Sequence, residues 1–303
     1  MKRLAVAVVF ALATSAVAQT TPQTSEESQK FTSNVKQRVN APSMSDVNCS
    51  GYVSPERYSR ANHVRGGLHT PNAARFGQRE YIYLGGGGYS IGTTYRIVRE
   101  ARDPNRYEIF PGQTKMVSDV GHLYNDVAQV KVTYMEGETA VAEIIMACEP
   151  AAPGDLVIPF QERPAVTFQP RTAPFERFQQ FDGGPSGRIL MGRDFDQFLG
   201  TGQKVYINMG ASKGVKPGDY LRITRNYDPD NMAPVDQISF DARATEDTQK
   251  DPAKVTRKDM KKLPYRGIGE LFILNVSDTT ATGMITLALE DVQPGDVVEV
   301  TKR

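Results

Sequence analysis

Residues 140–155, AVAEIIMACEPAAPGD, and residues 281–296, ATGMITLALEDVQPGD, align without a gap. They share Ala140 with Ala281, Ile144 with Ile285, Ala147 with Ala288, Glu149 with Glu290 and the whole Pro-Gly-Asp. Three further blocks recur in the same order: YIYLG (81–85) with YINMG (206–210), TTYRIVR (93–99) with DYLRITR (219–225), and GHL (121–123) with GEL (269–271). One coincidence would mean little. Four blocks in one order argue for two copies of a single domain, short of a solenoid, which needs at least three stacked repeats.

The class of that domain follows from AQVKVTYMEGETAVAEIIMAC. Val130, Val132 and Tyr134 fall on one face and Gln129, Lys131 and Thr133 on the other. Period-two alternation interrupted by Glu-Gly-Glu is a hairpin pattern, and helical periodicity is missing from the region. The expected fold is therefore all-β: two tandem homologous, small, antiparallel β-barrel-like domains. The first spans 47–162 and the second 201–303, the latter carrying a long charged insertion at 226–264. Residues 163–200 are rich in Pro and Gly and read as a linker, extended in part because a residue before proline is pushed towards β or polyproline geometry.

Pro-Gly-Asp occurs a third time, so the chain holds Pro153-Gly154-Asp155, Pro217-Gly218-Asp219 and Pro294-Gly295-Asp296. Proline presets the first central φ of a type II turn, and glycine tolerates the positive φ that follows. Each copy leads directly into alternating apolar residues. All nine are read as structural turns feeding strands, with each Asp accepting from nearby backbone N–H groups. A calcium or catalytic site would need further carboxylates at fixed spacing, and none stand there.

Lys2 and Arg3, an apolar run over 4–13 and the small residues Ala16-Val17-Ala18 make a secretory signal over 1–18, too short in its apolar part to span a bilayer. Residues 19–46 are polar and charged and read as a flexible leader, with a short helix over 31–39 as an option. The prediction is an exported protein (periplasmic, outer-membrane-associated or extracellular) without a transmembrane segment. Removing Lys2 and Arg3 from the 36 basic residues leaves 34 against 35 acidic ones, a balance that speaks against nucleic acid as partner. The two cysteines, Cys49 and Cys148, are an even pair in an oxidising compartment and read as one disulfide, with two unpaired buried thiols the competing reading. Cys148 aligns with Leu289, so its position is a packed one.

Chemistry-bearing patterns are sparse. The glycines 85–88 lack the helix and Lys-Ser/Thr that a phosphate loop requires. His63, His69 and His122 have no zinc-ligand spacing. Asp194 and Asp196 form a D-x-D without a nucleotide-binding fold, and the DPDN at 228–231 lacks the glycine and glutamate of a calcium loop. No catalytic residues, metal ligands or cofactors are expected. Tyr81, Tyr83, Tyr89 and Tyr95 cluster around the glycine loop as a candidate surface for stacking on sugar rings or peptide; half-buried strand residues are the plainer reading.

The two long blocks, REYIYLGGGGYSIGTTYRIVR through AAPGDLVIPF and KVYINMGASKGVKPGDYLRITR through VQPGDVVEV, resemble a module of exported bacterial envelope proteins found beside lysin-motif domains. They are also similar to the C-terminal β domain of the flagellar assembly protein T family. The resemblance covers roughly 48–162 and 186–303 and implies a small β-barrel-like domain that acts through contacts. The chain has no lysin motif of its own. The expected function is a non-enzymatic binding or scaffolding module with an envelope protein or peptidoglycan as partner, and with self-association possible. One alternative is a structural subunit whose leader pairs with a neighbour's sheet edge; another is a glycan-acting enzyme.

Overall fold

The computed structural model describes residues 40–68, 74–105, 107–179, 183–226, 238 and 256–301. Thirteen strands dominate: β1 (Tyr52–Ser54), β2 (His63–Gly67), β3 (Tyr81–Gly85), β4 (Thr94–Ala101), β5 (His122–Glu136), β6 (Thr139–Ala147), β7 (Leu156–Pro159), β8 (Ser186–Gly192), β9 (Lys204–Ile207), β10 (Tyr220–Arg225), β11 (Arg266–Val276), β12 (Ala281–Ala288) and β13 (Val297–Val300). Strands β4-β5-β6-β3-β2-β7 close on themselves through β7–β4 pairing, with β1 added outside on β5. Strands β10-β11-β12-β9-β8-β13 close in the same order. Every pairing is antiparallel, so the molecule holds two closed six-stranded barrels in tandem. Closure matters for short strands because it leaves no edge to template aggregation.

The barrels are equivalent residue by residue. Leu84 pairs with Ala140, and Ile207 with Ala281; Ala128 pairs with Ala147, and Gly269 with Ala288. Both first strands break register at the same place, between Val64 and Gly66 and between Ile189 and Met191. A lone bridge, Phe76 to Ala151 or Leu199 to Val292, closes the same corner of each. Inward residues fill each lumen: Ile82, Leu84, Ile97, Val130 and Ile144 in one, Val205, Ile207, Ile223, Leu271 and Ile285 in the other.

Three expectations need correction. Because Leu84 stands where Ile207 stands, YIYLG corresponds to Lys204–Asn208 and not to 206–210. A slip of two keeps every side chain on its face, which is why sequence alone did not resolve it. Gly269 occupies the place of Ala128, opposite Ile223 as Ala128 is opposite Ile97, so GEL does not correspond to GHL at 121–123. The boundary at 201 is also too late, since β8 at Ser186–Gly192 is a stave of the second barrel.

The leader's end is ordered as well. Ser43 caps a short helix, α1 (Met44–Asn48), through a reciprocal Ser43–Asp46 capping box. Residues 1–39, including the expected signal and the option of a helix at 31–39, lie outside the described residues, as does most of the insertion at 226–264. Within that insertion Arg257–Met260 forms one helical turn, capped by Thr256 and Asp259.

Residues 40–54 run between the barrels. Val47 packs with Phe272, Leu274 and Met284 of the second barrel, and the Asn40 N–H donates to the Thr286 carbonyl at 3.1 Å. The disulfide Cys49–Cys148 ties the same segment to the first barrel just beyond β6, with its Cα atoms 5.4 Å apart. Val53 and Leu123 of the first barrel then meet Leu190, Met191 and Tyr206 of the second in a buried seam. The second helix, α2 (Gln113–Val120), lies on that seam, where the Gln113 side chain donates to the Leu190 carbonyl at 2.9 Å.

Residues 163–179 of the Pro/Gly stretch form a strap on the second barrel. Val166 and Phe168 pack on Tyr220 and Phe272, and Phe175 is buried under the guanidiniums of Arg171 and Arg222. Ion pairs Arg171–Glu270 (3.0 Å) and Arg177–Glu290 (2.9 Å) pin it to the second barrel.

Candidate functional site

The three Pro-Gly-Asp stretches are turns. In each, the Asp N–H donates to the carbonyl three residues earlier, at 3.1–3.2 Å. Gly154 carries the φ of +90° that a type II turn demands. Each carboxylate caps its own turn, accepting at 2.7 Å from the backbone N–H of Ala152, Lys216 or Gln293.

Two of the three do more. Arg99 at the end of β4 grips Asp155 through Nε and Nη2, both at 2.8 Å, and reaches the Pro150 carbonyl. Arg225 at the end of β10 holds Asp296 at 2.7 and 2.8 Å and reaches the Asp291 carbonyl. These bidentate clasps tie the last strand of each barrel to the fourth-from-last and reinforce the backbone ladder that closes it. The sequence blocks contained both arginines, but only the closed topology brings them to the aspartates.

A second buried cluster lies under the N-terminal segment. Asp126 accepts from Arg96 Nη1 (2.9 Å), Arg163 Nη1 (2.7 Å) and Nη2 (3.1 Å), and the Gly51 N–H (2.8 Å). Arg163 also donates to the Val47 and Asn48 carbonyls and to Ser50 Oγ. Burial, with the adjacent Arg163 charge, pulls the Arg96 pKa below its ordinary value. This arrangement fastens segment, barrel and strap together, and its groups are committed to one another.

The four tyrosines divide. Tyr89 and Tyr95 are buried and plug one end of the first barrel in an edge-to-face pair with centroids 5.2 Å apart. The Tyr89 hydroxyl donates to the Gly85 carbonyl at 2.9 Å, and burial pushes this phenol up to about 12. Tyr95 donates to the Gly88 carbonyl and accepts from the Ser90 N–H. They close the glycine loop and offer no stacking surface, which corrects the expectation for that pair.

Tyr81 and Tyr83 point outward from β3, alternating with the buried Ile82 and Leu84. Tyr83 is opposite Val141 on β6, and Val141 is opposite Tyr134 on β5, so the three share one outer row. The neighbouring row is Tyr81, Glu143 and Lys131. Tyr134 is 56% exposed and Ile145 39%. Sequence reading assigned Tyr134 to the face of Val130 and Val132; a register break between Val132 and Tyr134 turns it out instead.

A cleft of about 510 Å³ opens beside the first clasp, lined by Arg60, His63, Val98, Arg99, Glu100, Arg102, Gly154, Asp155 and Leu156. Burial raises the Glu100 pKa, but the hydrogen bonds from Arg57 and the nearby Arg102 and His122 outweigh it and hold the carboxyl below its usual range. Arg60 and Arg102, with side chains 73% and 70% exposed, stand 3.8 and 4.0 Å from it. A further cleft follows the seam between Tyr52, Tyr58, Arg163 and Asn275.

Among the described residues no group of three or more His, Cys, Asp and Glu is placed to hold a metal ion. His63 rests against the Arg60 and Ala61 carbonyls at the start of β2, while His122 opens β5 beside Glu100. Asp196 accepts from Gln203 and Asp194 lies by Arg193, in the turn after β8. No described helix is long and apolar enough to cross a membrane. His69 and the DPDN stretch fall outside the described residues. The chain matches no protein-family model and no curated protein.

Proposed function

We propose that this chain is an exported, non-catalytic scaffolding and binding module of a bacterial cell envelope, which engages its partner through the outer face of β3, β6 and β5. The resemblance to envelope β modules belongs to this proposal. The observation that carries it is the row Tyr83–Val141–Tyr134, an aromatic strip with a charged margin on a rigid sheet. Aromatic residues that lose little entropy on binding, ringed by polar groups, make the composition of a non-obligate interface. The larger buried charge clusters described above are consumed in ion pairs that hold the fold, which supports contact over catalysis. A disulfide suits an oxidising compartment.

The test is co-sedimentation with purified peptidoglycan sacculi at low and moderate salt, for the wild type and for Tyr83→Ala with Tyr134→Ala. Salt-resistant pelleting that falls at least several-fold in the double variant is the expected result. Wild-type and variant protein that pellet equally would refute the assigned face. A supernatant-only result would refute the wall as the partner.

A further inference from the structure

The two barrels share the Arg–Asp clasp but differ in the charges beside it. Val64 and Ile189 hold the same place, each opposite the equivalent residue of the next strand, Leu84 or Ile207. Four residues before them, Arg60 stands where the second copy has Pro185. Directly after the clasp arginines, Glu100 stands where the second copy has Asn226. The second barrel closes without these charges, so closure does not account for them.

Around the first clasp the charges do not balance. Asp155 and Glu149 are taken up by Arg99, and Glu149 also by Arg193. Glu100 is taken up by Arg57, whose Nε and Nη2 donate to Oε1 at 3.1 and 2.8 Å and whose Nη2 also reaches Oε2 at 3.0 Å. His122 Nδ1 stands 3.5 Å from the same carboxylate. Arg60 and Arg102 are left over. Each brings its Nη2 near Glu100 Oε2, at 3.8 and 4.0 Å, and among the described residues neither guanidinium makes a hydrogen bond. Ion pairs so long, on side chains so exposed, contribute little to stability. Yet both guanidiniums are drawn to one atom, which places two spare positive charges together in the cleft beside the clasp.

That cleft also has an apolar lining, Val98 and Leu156. Its volume of about 510 Å³ exceeds what a bare anion needs and lies within the usual range of small-molecule sites. A single carboxylate there is already satisfied by Arg57 alone, as Glu100 is. Two further guanidiniums on one point suit a group with more charge and more acceptor oxygens, and a phosphate monoester carries about −1.5 to −2 at neutral pH.

We propose that this cleft binds a phosphate monoester carried on a small organic body, either a sugar or a lipid headgroup. Arg60 and Arg102 bridge the phosphate, and Val98 and Leu156 pack against the carbon skeleton. Glu100 gathers the two arginines and at the same time opposes the arriving anion, so it limits the affinity from inside the site. None of these residues belongs to the strip Tyr83–Val141–Tyr134, and the site stands or falls apart from the envelope-partner reading.

The experiment is isothermal titration calorimetry with glucose 1-phosphate, inorganic phosphate and glucose, at low and high salt. Glucose 1-phosphate should bind saturably and more weakly at high salt, and roughly ten-fold more tightly than inorganic phosphate because of the apolar lining. Glucose should not bind. Arg60→Gln with Arg102→Gln should weaken glucose 1-phosphate binding by at least about ten-fold, and Arg60→Lys with Arg102→Lys should recover part of it. Glu100→Gln should tighten binding several-fold, whereas a merely structural role for Glu100 predicts a loss. Lys258→Gln with Lys262→Gln removes two charges from the second barrel and should change nothing. Melting temperatures confirm folding, and Arg102→Gln alone replaces the double glutamine variant if that unfolds.

Phosphatidylcholine vesicles with and without phosphatidate form the second arm. Phosphatidate-dependent retention that the double glutamine variant loses places the monoester on a lipid headgroup. Glucose 1-phosphate binding without such retention places it on a sugar. Absence of binding in both arms, undiminished binding by the double glutamine variant, or weaker binding by Glu100→Gln overturns the proposal. So does inorganic phosphate that binds as tightly as the esters.

Discussion

Asp126→Asn tests the claim that one buried carboxylate fastens three parts of the molecule. Its side chain is 3% exposed, and those of Arg96 and Arg163 are 4% and 9% exposed. Neutralising it leaves two guanidiniums buried without a counter-charge. Breaking a buried ion pair by removing one partner costs about 3–5 kcal/mol. Here the guanidiniums keep other acceptors: Arg163 has two carbonyls and a hydroxyl, and Arg96 has the Gln161 carbonyl and the face of Phe160. The expected loss is therefore at the lower end, about 3 kcal/mol. For a chain of this length that corresponds to a fall in melting temperature of roughly 6–12 °C.

Urea unfolding should show the midpoint moving with the slope unchanged, because the surface exposed on unfolding stays the same. Arg57→Ala is the control. It removes an exposed partner of Glu100, 48% accessible at its side chain, and should leave stability close to that of the wild type, since solvent screens such a pair. If Asp126→Asn costs as little as Arg57→Ala, the cluster is not what holds segment 47–51 and strap to the first barrel.

The identical Pro-Gly-Asp stretches should respond differently: Asp155→Asn should destabilise by about 2 kcal/mol more than Asp219→Asn, since only Asp155 of these two holds a bidentate arginine. Gly51→Ala should cost more than about 2 kcal/mol by thermal melting, because Gly51 has φ +68° and its added Cβ would sit 2.4 Å from the Tyr206 hydroxyl in the seam. Tyr89→Phe should lower stability by about 1 kcal/mol with no effect on partner binding, the reverse of Tyr83→Ala. For Glu290→Gln the sign follows from its lowered pKa. The hydrogen bond from Arg266 is the main cause and outweighs burial, so the stabilisation is present above the unfolded value and lost as pH falls through the folded one. The variant should match wild-type stability in strong acid and fall below it near neutrality.

What the sequence disclosed and what it hid have one physical source. The duplication was legible where the two copies use the same residue types for the same job: the Pro-Gly-Asp turns, the alternating β6 and β12, and the β4 and β10 strands with their arginines. It became illegible where the copies solve one problem by different means. Arg96 and Arg222 are equivalent buried guanidiniums. The first is neutralised by Asp126; the position matching Asp126 is Gly267, where a Cβ would strike both Arg222 and Phe175. There the strap supplies an aromatic face and the Glu176 carbonyl instead. A carboxylate and a ring from a distant segment share no letters, so matching strings slid GEL onto GHL.

Tyr83 was legible as a candidate surface residue, but Tyr134's place beside it escaped for a related reason. Alternation places Tyr134 inside, and only a bulge, which leaves no mark on the pattern itself, places it outside. The same divergence bears on function. Tyr83 and Tyr206 are equivalent tyrosines, one half-exposed and one wholly buried. The duplicated position has kept its residue type while the first copy remains uncovered, as expected if that face still meets a partner when the chain is assembled.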